Sequence, residues 1–196
     1  MLEAISFGDA GWGDEMLMGA FWTVAVSISS ILLGLVIGII FAGFKLSSIR
    51  VLNLIAEFYT TIIRGVPELL VIYLLFFGGG SAVMYVAKIF GYFGYIELQP
   101  FVIGTLAVGA ISGAYSTEVI RGAVNAIPRS QFETGSALGL KGFRLYQKII
   151  FPQVARLALP GIGNVWQITL KDTALISVTG LVEIMRQSRI ASGSTH

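Results

Sequence analysis

The sequence predicts an all-α integral membrane protein, and two observations carry that prediction. Of the 196 residues, 55% are hydrophobic and 12% are charged, whereas soluble domains have roughly 45–50% apolar and 25% charged residues. The hydrophobic residues gather in long runs with the charges between them. A soluble domain of this length needs a charged surface that 13 Lys/Arg and 11 Asp/Glu barely supply, so we expect the chain to lie in a bilayer.

The first predicted span is the uncharged run from residue 16 to residue 44, which ends at Lys45 and Arg50. With a rise of about 1.5 Å per residue, a helix of roughly 20 residues crosses the hydrocarbon. This run is longer than that, so it predicts a complete transmembrane helix.

The next apolar run, residues 51–78, is interrupted by the segment Arg64-Gly65-Val66-Pro67-Glu68. Proline removes a backbone donor there and two charges flank it. We therefore expect an interfacial helix before the break and a second span from Leu69 to about residue 86. The glycines at 78–80 leave two possibilities for its outer end, a kink or an early exit.

The third predicted span opens at Pro100 and covers residues 101–120. Within it, Gly109 and Gly113 have the spacing that lets a second helix approach closely. That spacing is common in membrane helices, so it predicts close packing and no specific partner.

The fourth predicted span, residues 157–170, is entered by an amphipathic stretch from Ile149. It is short and contains Pro160, so we expect it to be bent. The following apolar stretch, residues 174–185, is too short to cross a bilayer and is predicted to be re-entrant or interfacial.

Charge asymmetry predicts the orientation of these spans. The segment 121–156 carries six cations against Glu133; they are Arg121, Arg129, Lys141, Arg144, Lys148 and Arg156. The first sixteen residues carry only acidic charges, Glu3, Asp9, Asp14 and Glu15. Because positive loops stay in the cytoplasm, we expect segment 121–156 inside the cell and the N-terminus outside.

Several classes of function are disfavoured by composition. The chain has no cysteine and its one histidine is His196, so no metal site and no catalytic residue are expected. It lacks the Gly-x-x-x-x-Gly-Lys-Ser/Thr phosphate loop, so it is not expected to bind or hydrolyse ATP itself. The basic residues lie between membrane runs, which favours a topological role over nucleic-acid binding.

The basic segment contains one motif with fixed spacing. Glu133 is followed by Gly139, and nine residues separate that glycine from Ile149, with Pro152 shortly after. This pattern resembles the cytoplasmic EAA loop of permeases in binding-protein-dependent ABC importers. That loop reads Glu-Ala-Ala, three residues, Gly, nine residues, then Ile-x-Leu-Pro.

The chain departs from the pattern at Thr134 and Gly135, which stand where the family has two alanines, and at Phe151, which replaces leucine. Small residues are nevertheless kept in the helix. The physical demand is a short helix that seats in a groove of another protein and is closed by a glycine that turns the chain back. By resemblance, the ATPase-coupling residues are Glu133, Thr134, Gly135, Gly139, Ile149 and Pro152.

Three further stretches resemble the polar-amino-acid branch of this family, which includes histidine, glutamine and opine permeases. They contain Arg64-Gly65-x-Pro67, Ala114-Tyr115-x-x-Glu118-x-x-Arg121 and Lys171-Asp172-Thr173 with the later Glu183. The resemblance implies a type I importer permease in the bacterial inner membrane, with a five-span helical core. It also implies three partners: an ATP-binding subunit that hydrolyses ATP, a sister or identical permease, and a periplasmic solute-binding protein.

Four of the five spans are visible, and Arg186 and Arg189 stand where the C-terminal end should lie outside. We therefore expect one transmembrane permease domain over residues 1–196 that is incomplete at its C-terminus. Its coupling loop is segment 121–156.

Some polar residues have a simpler interpretation. Glu118 and Arg121 are three residues apart, which favours a local ion pair. Arg64 beside Pro67 is more typical of a cation reaching the interface next to a kink than of a solute ligand. We expect these four residues to be structural.

Asp172 and Glu183 are weaker candidates for the substrate path. A carboxylate at the outer end of the fourth span can meet a cationic amino acid or cap the next segment. Glu183 presents the same two alternatives.

The main alternative function is an ion-gradient-driven secondary transporter of small polar solutes, which usually carries acidic residues in mid-span. A membrane-embedded enzyme ranks lower, because no nucleophile and base or metal cluster can be assembled.

Overall fold

The structure is a computed structural model that describes residues 6–8, 11–92, 94 and 99–194. The acidic residues Glu3 and Asp9 and the single histidine, His196, lie outside these ranges. The described residues are almost entirely helical, which confirms the predicted all-α class. The α-helices are α1 (Gly13–Leu46), α2 (Arg50–Gly65), α3 (Glu68–Tyr73), α4 (Gly79–Ile89), α5 (Pro100–Asn125), α6 (Arg129–Ala137), α7 (Phe143–Leu145), α8 (Phe151–Asp172) and α9 (Ile184–Ser194).

Three helices in the described ranges are long and apolar enough to cross a membrane, namely Gly13–Leu46, Glu68–Ile89 and Pro100–Asn125. They coincide with the first three predicted spans. The second of them joins α3 and α4 through a π-helical turn, Leu74–Gly78. The helix therefore continues through the glycines at 78–80, and the predicted early exit does not occur. The π-helical turn accommodates the local change in the backbone hydrogen-bond pattern.

The core is the long contact between α1 and α5, where small residues let the two helices approach closely. A Cβ added to Gly109 would lie 2.7 Å from Leu33 Cδ2, and one added to Gly113 would lie 2.8 Å from Ile37 Cγ2. This confirms that the Gly109–Gly113 spacing serves close helix packing. Because lipid tails supply no hydrophobic drive between helices, such backbone approach is what holds the pair together.

The predicted break after Arg64 is present, since α2 ends at Gly65 and α3 begins at Glu68. Helix α2 packs against α1 and α5, and the hydroxyl of Tyr59 donates to the carbonyl oxygen of Ala110 at 2.5 Å. The break therefore lies beside the α1–α5 core and presents charged side chains to it.

Helix α8 corresponds to the fourth predicted span but is longer, with 22 residues from Phe151 to Asp172 and Pro160 inside it. It is not among the three helices apolar enough to be recognised by hydropathy. A 3₁₀ helix, Thr173–Thr179, follows it and ends at Gly180, whose φ is +99°. The stretch predicted to be too short to cross is thus a 3₁₀ helix and a turn before α9.

Candidate functional site

The predicted coupling loop begins with α6, a nine-residue helix that a glycine closes. Gly139 has a φ of +79°. Its N–H donates to the Ser136 carbonyl oxygen, and the N–H of Leu140 donates to the Gly135 carbonyl oxygen, both at 3.0 Å. This is the Schellman arrangement, which requires a left-handed residue after the helix and therefore favours glycine.

The other end of the motif explains the position of Gly135. This residue is buried, and a Cβ added to it would meet the side chain of Leu145 and would lie 2.9 Å from Ile149 Cδ1. Leu145 belongs to a hydrophobic cluster with Ile127 and Ile150, against which Ile149 also packs. The spacing between Gly139 and Ile149 thus folds the chain back so that α6 rests on the segment leading into α8.

Pro152 occupies the first turn of α8, directly after the π-helical turn Tyr146–Ile150. A proline inside a regular helix would clash with the carbonyl group four residues earlier. The wider π turn removes that conflict and lets the chain pass from the loop into α8 without a gap.

The outer surface of the loop is exposed and partly apolar. Glu133 and Thr134 are exposed on α6, and Leu138, Phe143 and Tyr146 are 73%, 78% and 54% exposed. In a loop that connects membrane helices, exposed apolar side chains of this size indicate a surface for another protein.

An ionic cluster lies where α1, α2 and α5 meet. Glu118 accepts from Lys45 at 2.5 Å and from Arg121 Nη2 at 2.7 Å, and Arg64 lies 3.9 Å away. Lys45 also pairs with Glu57 at 2.6 Å. The predicted pair of Glu118 and Arg121 is therefore present, but it is part of a larger network.

Lys45 and Glu57 are the members that the sequence did not indicate, and Lys45 is the one that connects the helices. Its side chain is only 5% exposed, and it joins residues that are 12 and 73 positions away in the chain. In a sequence, a cation directly after an apolar run predicts the end of a membrane span. Nothing in the neighbouring residues predicts which distant side chains it will contact.

The break between α2 and α3 opens onto a cavity of about 500 Å³ lined by Arg64, Pro67, Glu68, Tyr115 and Leu175, among others. The guanidinium of Arg64 stands over the ring of Tyr115 at 5.6 Å, and the Tyr115 hydroxyl donates to Glu68 Oε1 at 3.3 Å. One positive and one negative side chain thus face the same cavity.

Asp172, one of the two residues predicted for the substrate path, is buried at the end of α8. It lies close enough to Glu68 and Tyr115 to interact with them electrostatically. The sequence did not indicate Glu68 as a site residue, because it appeared only as a charge flanking the break.

Glu183, the second predicted residue of the path, has another environment. It is fully buried, and its two carboxylate oxygens accept from the backbone N–H groups of Met185 at 2.9 Å and Arg186 at 2.8 Å. Those are the second and third residues of α9, so Glu183 is its N-cap. Its oxygens are already used by the backbone, which favours capping over solute contact.

Several proteins with known roles resemble this chain. The nopaline transport system permease protein NocQ of Agrobacterium fabrum is 52% identical over 195 residues, which is 99% of this chain and 83% of that protein. The octopine transport system permease protein OccQ of Rhizobium radiobacter is 49% identical, over 98% of this chain and 81% of that protein. The histidine/lysine/arginine/ornithine transport system permease protein HisQ of Escherichia coli is 43% identical, over 94% and 81%.

A solved structure described as an amino acid ABC transporter with histidines has a TM-score of 0.76 and 29% identity. The match covers 92% of this chain and 78% of the solved one. The family described as binding-protein-dependent transport system inner membrane component matches residues 34–195. The chain therefore belongs to this family of inner-membrane transport components.

Proposed function

We propose that this chain is the permease subunit of an importer for opines or polar amino acids, powered by a separate ATP-binding subunit. The names of its relatives support the solute class, since they carry nopaline, octopine, and histidine with other basic amino acids. The observation that carries the coupling role is α6, a short helix closed by Gly139 and backed by Leu145 and Ile149.

In this proposal the ATP-binding subunit receives α6 in a groove on its surface. Glu133 and Thr134 face outward for contact, whereas Gly135, Gly139, Ile149 and Pro152 keep the helix in place. Because α6 follows α5 directly and leads through a packed segment into α8, a movement of α6 is passed to two membrane helices.

The orientation we propose has the N-terminus in the periplasm and segment 121–156 in the cytoplasm. Ser30 in α1 donates to the carbonyl oxygen of Thr105 early in α5, and Lys45 near the end of α1 contacts Glu118 in the last third of α5, so the two helices run in the same direction. This agrees with the direction that the basic residues assign to both helices.

The other partners we propose are a sister or identical permease and a periplasmic solute-binding protein. The chain itself performs no covalent step and takes no cofactor in this scheme. ATP is hydrolysed on the partner subunit, which shifts the permease between inward-open and outward-open states.

The cavity at the α2–α3 break is the solute site we propose. Every amino acid carries an ammonium and a carboxylate group. Glu68 lines the cavity and provides negative charge for the first, and the buried Asp172 lies near it. Arg64, which the sequence suggested to be structural, also lines the cavity and provides positive charge for the second. Because the cavity holds both signs of charge, it suits a zwitterionic solute better than a simple ion.

The deciding experiment is uptake of a radiolabelled opine or basic amino acid in proteoliposomes that contain the permease pair, the ATP-binding subunit and the binding protein. We expect uptake only when ATP is enclosed with the ATP-binding subunit. The complex carrying Glu133→Lys should assemble in the membrane but lose uptake, while Glu133→Gln should retain part of it. Uptake that follows a proton or sodium gradient and ignores ATP would instead support the secondary-transporter alternative.

A further inference from the structure

Arg64 lies between two cavities. One is the cavity at the α2–α3 break, which is the proposed solute site. The other has a volume of about 470 Å³, and its lining includes Lys45, Glu57, Glu118 and Arg121. Because Arg64 lines both cavities, its guanidinium can pair with a carboxylate on either side.

Glu118 is the carboxylate on the second side, and Arg64 is its weakest partner. Glu118 Oε1 accepts a hydrogen bond from Lys45. Glu118 Oε2 accepts two from Arg121, at 3.0 Å from Nε and 2.7 Å from Nη2. Arg64 Nη1 lies 3.9 Å from Glu118 Oε1, which is too long for a hydrogen bond. Arg64 is therefore the partner that can leave Glu118 most easily.

The charges of the ionic cluster also favour the departure of Arg64. In the described part of the chain, the cluster holds three cations and two carboxylates, namely Lys45, Arg64 and Arg121 with Glu57 and Glu118. If Arg64 turns towards the solute cavity, two charges of each sign remain and the cluster is neutral. The side chain of Arg64 is 43% exposed, so packing does not hold it beside Glu118.

The solute offers Arg64 a better partner than Glu118 does. A free carboxylate can accept two parallel hydrogen bonds from a guanidinium group, which is the strong form of this pair. Both oxygens of Glu118 already accept from Lys45 and Arg121, so Glu118 has less to offer. A solute carboxylate in the cavity should therefore take Arg64 over, and Glu118 should recover it when the solute leaves.

We propose that Glu118 is a positioning residue of the solute site, which competes with the solute carboxylate for Arg64. The competition keeps binding weak enough for the solute to be released, as a transport site requires. This inference rests on the proposed solute cavity. It gives Glu118 a role beyond the local ion pair with Arg121 that the sequence favoured.

The test compares two ligands that differ in the carboxylate. The complex of the permease pair and the ATP-binding subunit is purified in detergent, and binding of radiolabelled arginine is measured directly. Agmatine, which is arginine without its carboxylate, is measured as a competitor. The variant Glu118→Gln keeps the size of the side chain and removes its charge. The matched control is Glu57→Gln, which removes the other carboxylate of the cluster.

We expect Glu118→Gln to bind arginine roughly two- to fivefold more tightly than the parent, which is the factor that a partly exposed ion pair contributes. Its affinity for agmatine should equal that of the parent, and Glu57→Gln should bind both ligands as the parent does. In proteoliposomes with the binding protein, Glu118→Gln should lower the KM for arginine uptake and also lower kcat, because release is slower. Loss of a merely structural ion pair would not tighten binding of one ligand alone.

Two results would overturn the inference and leave the proposed solute cavity in place. One is an affinity of Glu118→Gln for arginine that is equal to that of the parent or weaker. The other is a gain in affinity for agmatine as large as the gain for arginine. A parent complex that binds no basic amino acid would instead contradict the proposed solute cavity, and the role of Glu118 would fall with it.

Discussion

Among single residues, Gly139 has the clearest conformational demand. A Cβ added there would meet nothing within 4 Å, and the same is true of Gly122 in α5, but only Gly139 has a positive φ, +79°. We expect Gly139→Ala to destabilise the turn after α6 by about 1–2 kcal/mol, the cost of a left-handed L-residue. Gly122→Ala should be neutral or slightly stabilising.

The measurement for this pair is ATP hydrolysed per solute imported, with membrane insertion checked by quantitative blotting. Gly139→Ala should raise the ratio, because a frayed α6 transmits less of each ATPase cycle. Equal ratios for both alanine variants would show that the closing turn has no part in coupling.

The two buried carboxylates predicted for the substrate path, Asp172 and Glu183, should respond differently to removal of their charge. Asp172→Asn should weaken solute affinity, seen as a raised apparent KM for uptake with little change in thermal stability. Glu183→Gln should lower the melting temperature, since replacing an N-cap costs about 0.5–2 kcal/mol. Its KM should stay near that of the parent. If Glu183→Gln changed KM and not stability, the capping assignment would be wrong.

At the scale of helices, the ionic cluster joins α1, α2 and α5. A double-mutant cycle with Lys45→Met and Glu118→Gln measures the Lys45–Glu118 contact. Each single variant leaves an imperfectly paired charge in a largely buried place. The double variant should therefore lose less stability than the sum of the losses in the two single variants. We expect an interaction energy of about 0.5–3 kcal/mol, read from thermal unfolding in detergent. Strict additivity would mean that the contact contributes nothing.

The elements also divide into those that sequence reasoning could find and those it could not. Local chemistry sufficed for the break at Pro67, the closing turn at Gly139 and the close packing at Gly109. The Lys45–Glu118 contact joins residues 73 positions apart and has no local signal. For α8, the sequence predicted a span over residues 157–170 entered by an amphipathic stretch from Ile149, and the structure joins most of that stretch and the span in one helix.

The candidate site divides in the same way. The coupling motif could be predicted because its residues have a fixed spacing. The structure explains that spacing, because the chain folds back so that Ile149 packs closely on Gly135. The cavity could not be predicted, because Arg64, Glu68 and Tyr115 come from three different helices. Only tertiary packing brings such side chains together, so neither periodicity nor charge counting could have grouped them.

For the whole molecule, orientation in the membrane is the property on which the other proposals depend. Helices α1 and α5 run in the same direction, so the exposed start of α1 and the exposed surface of α6 lie at opposite ends of the molecule. On the orientation we propose from the basic residues of segment 121–156, the α6 end lies in the cytoplasm. Single cysteines at Glu15 and Ser136, both exposed, therefore report on the two sides.

We expect an impermeant maleimide added to intact spheroplasts to label Glu15→Cys, and to label Ser136→Cys only after the membrane is opened. Glu15 lies in the first turn of α1 and Ser136 in α6, and both are exposed, so burial does not confuse the comparison. Labelling of Ser136→Cys in intact spheroplasts would reverse the orientation and remove α6 from reach of a cytoplasmic ATPase. The coupling role of Glu133 and Gly139 would then have to be abandoned as well, because nucleotide is supplied on the cytoplasmic side.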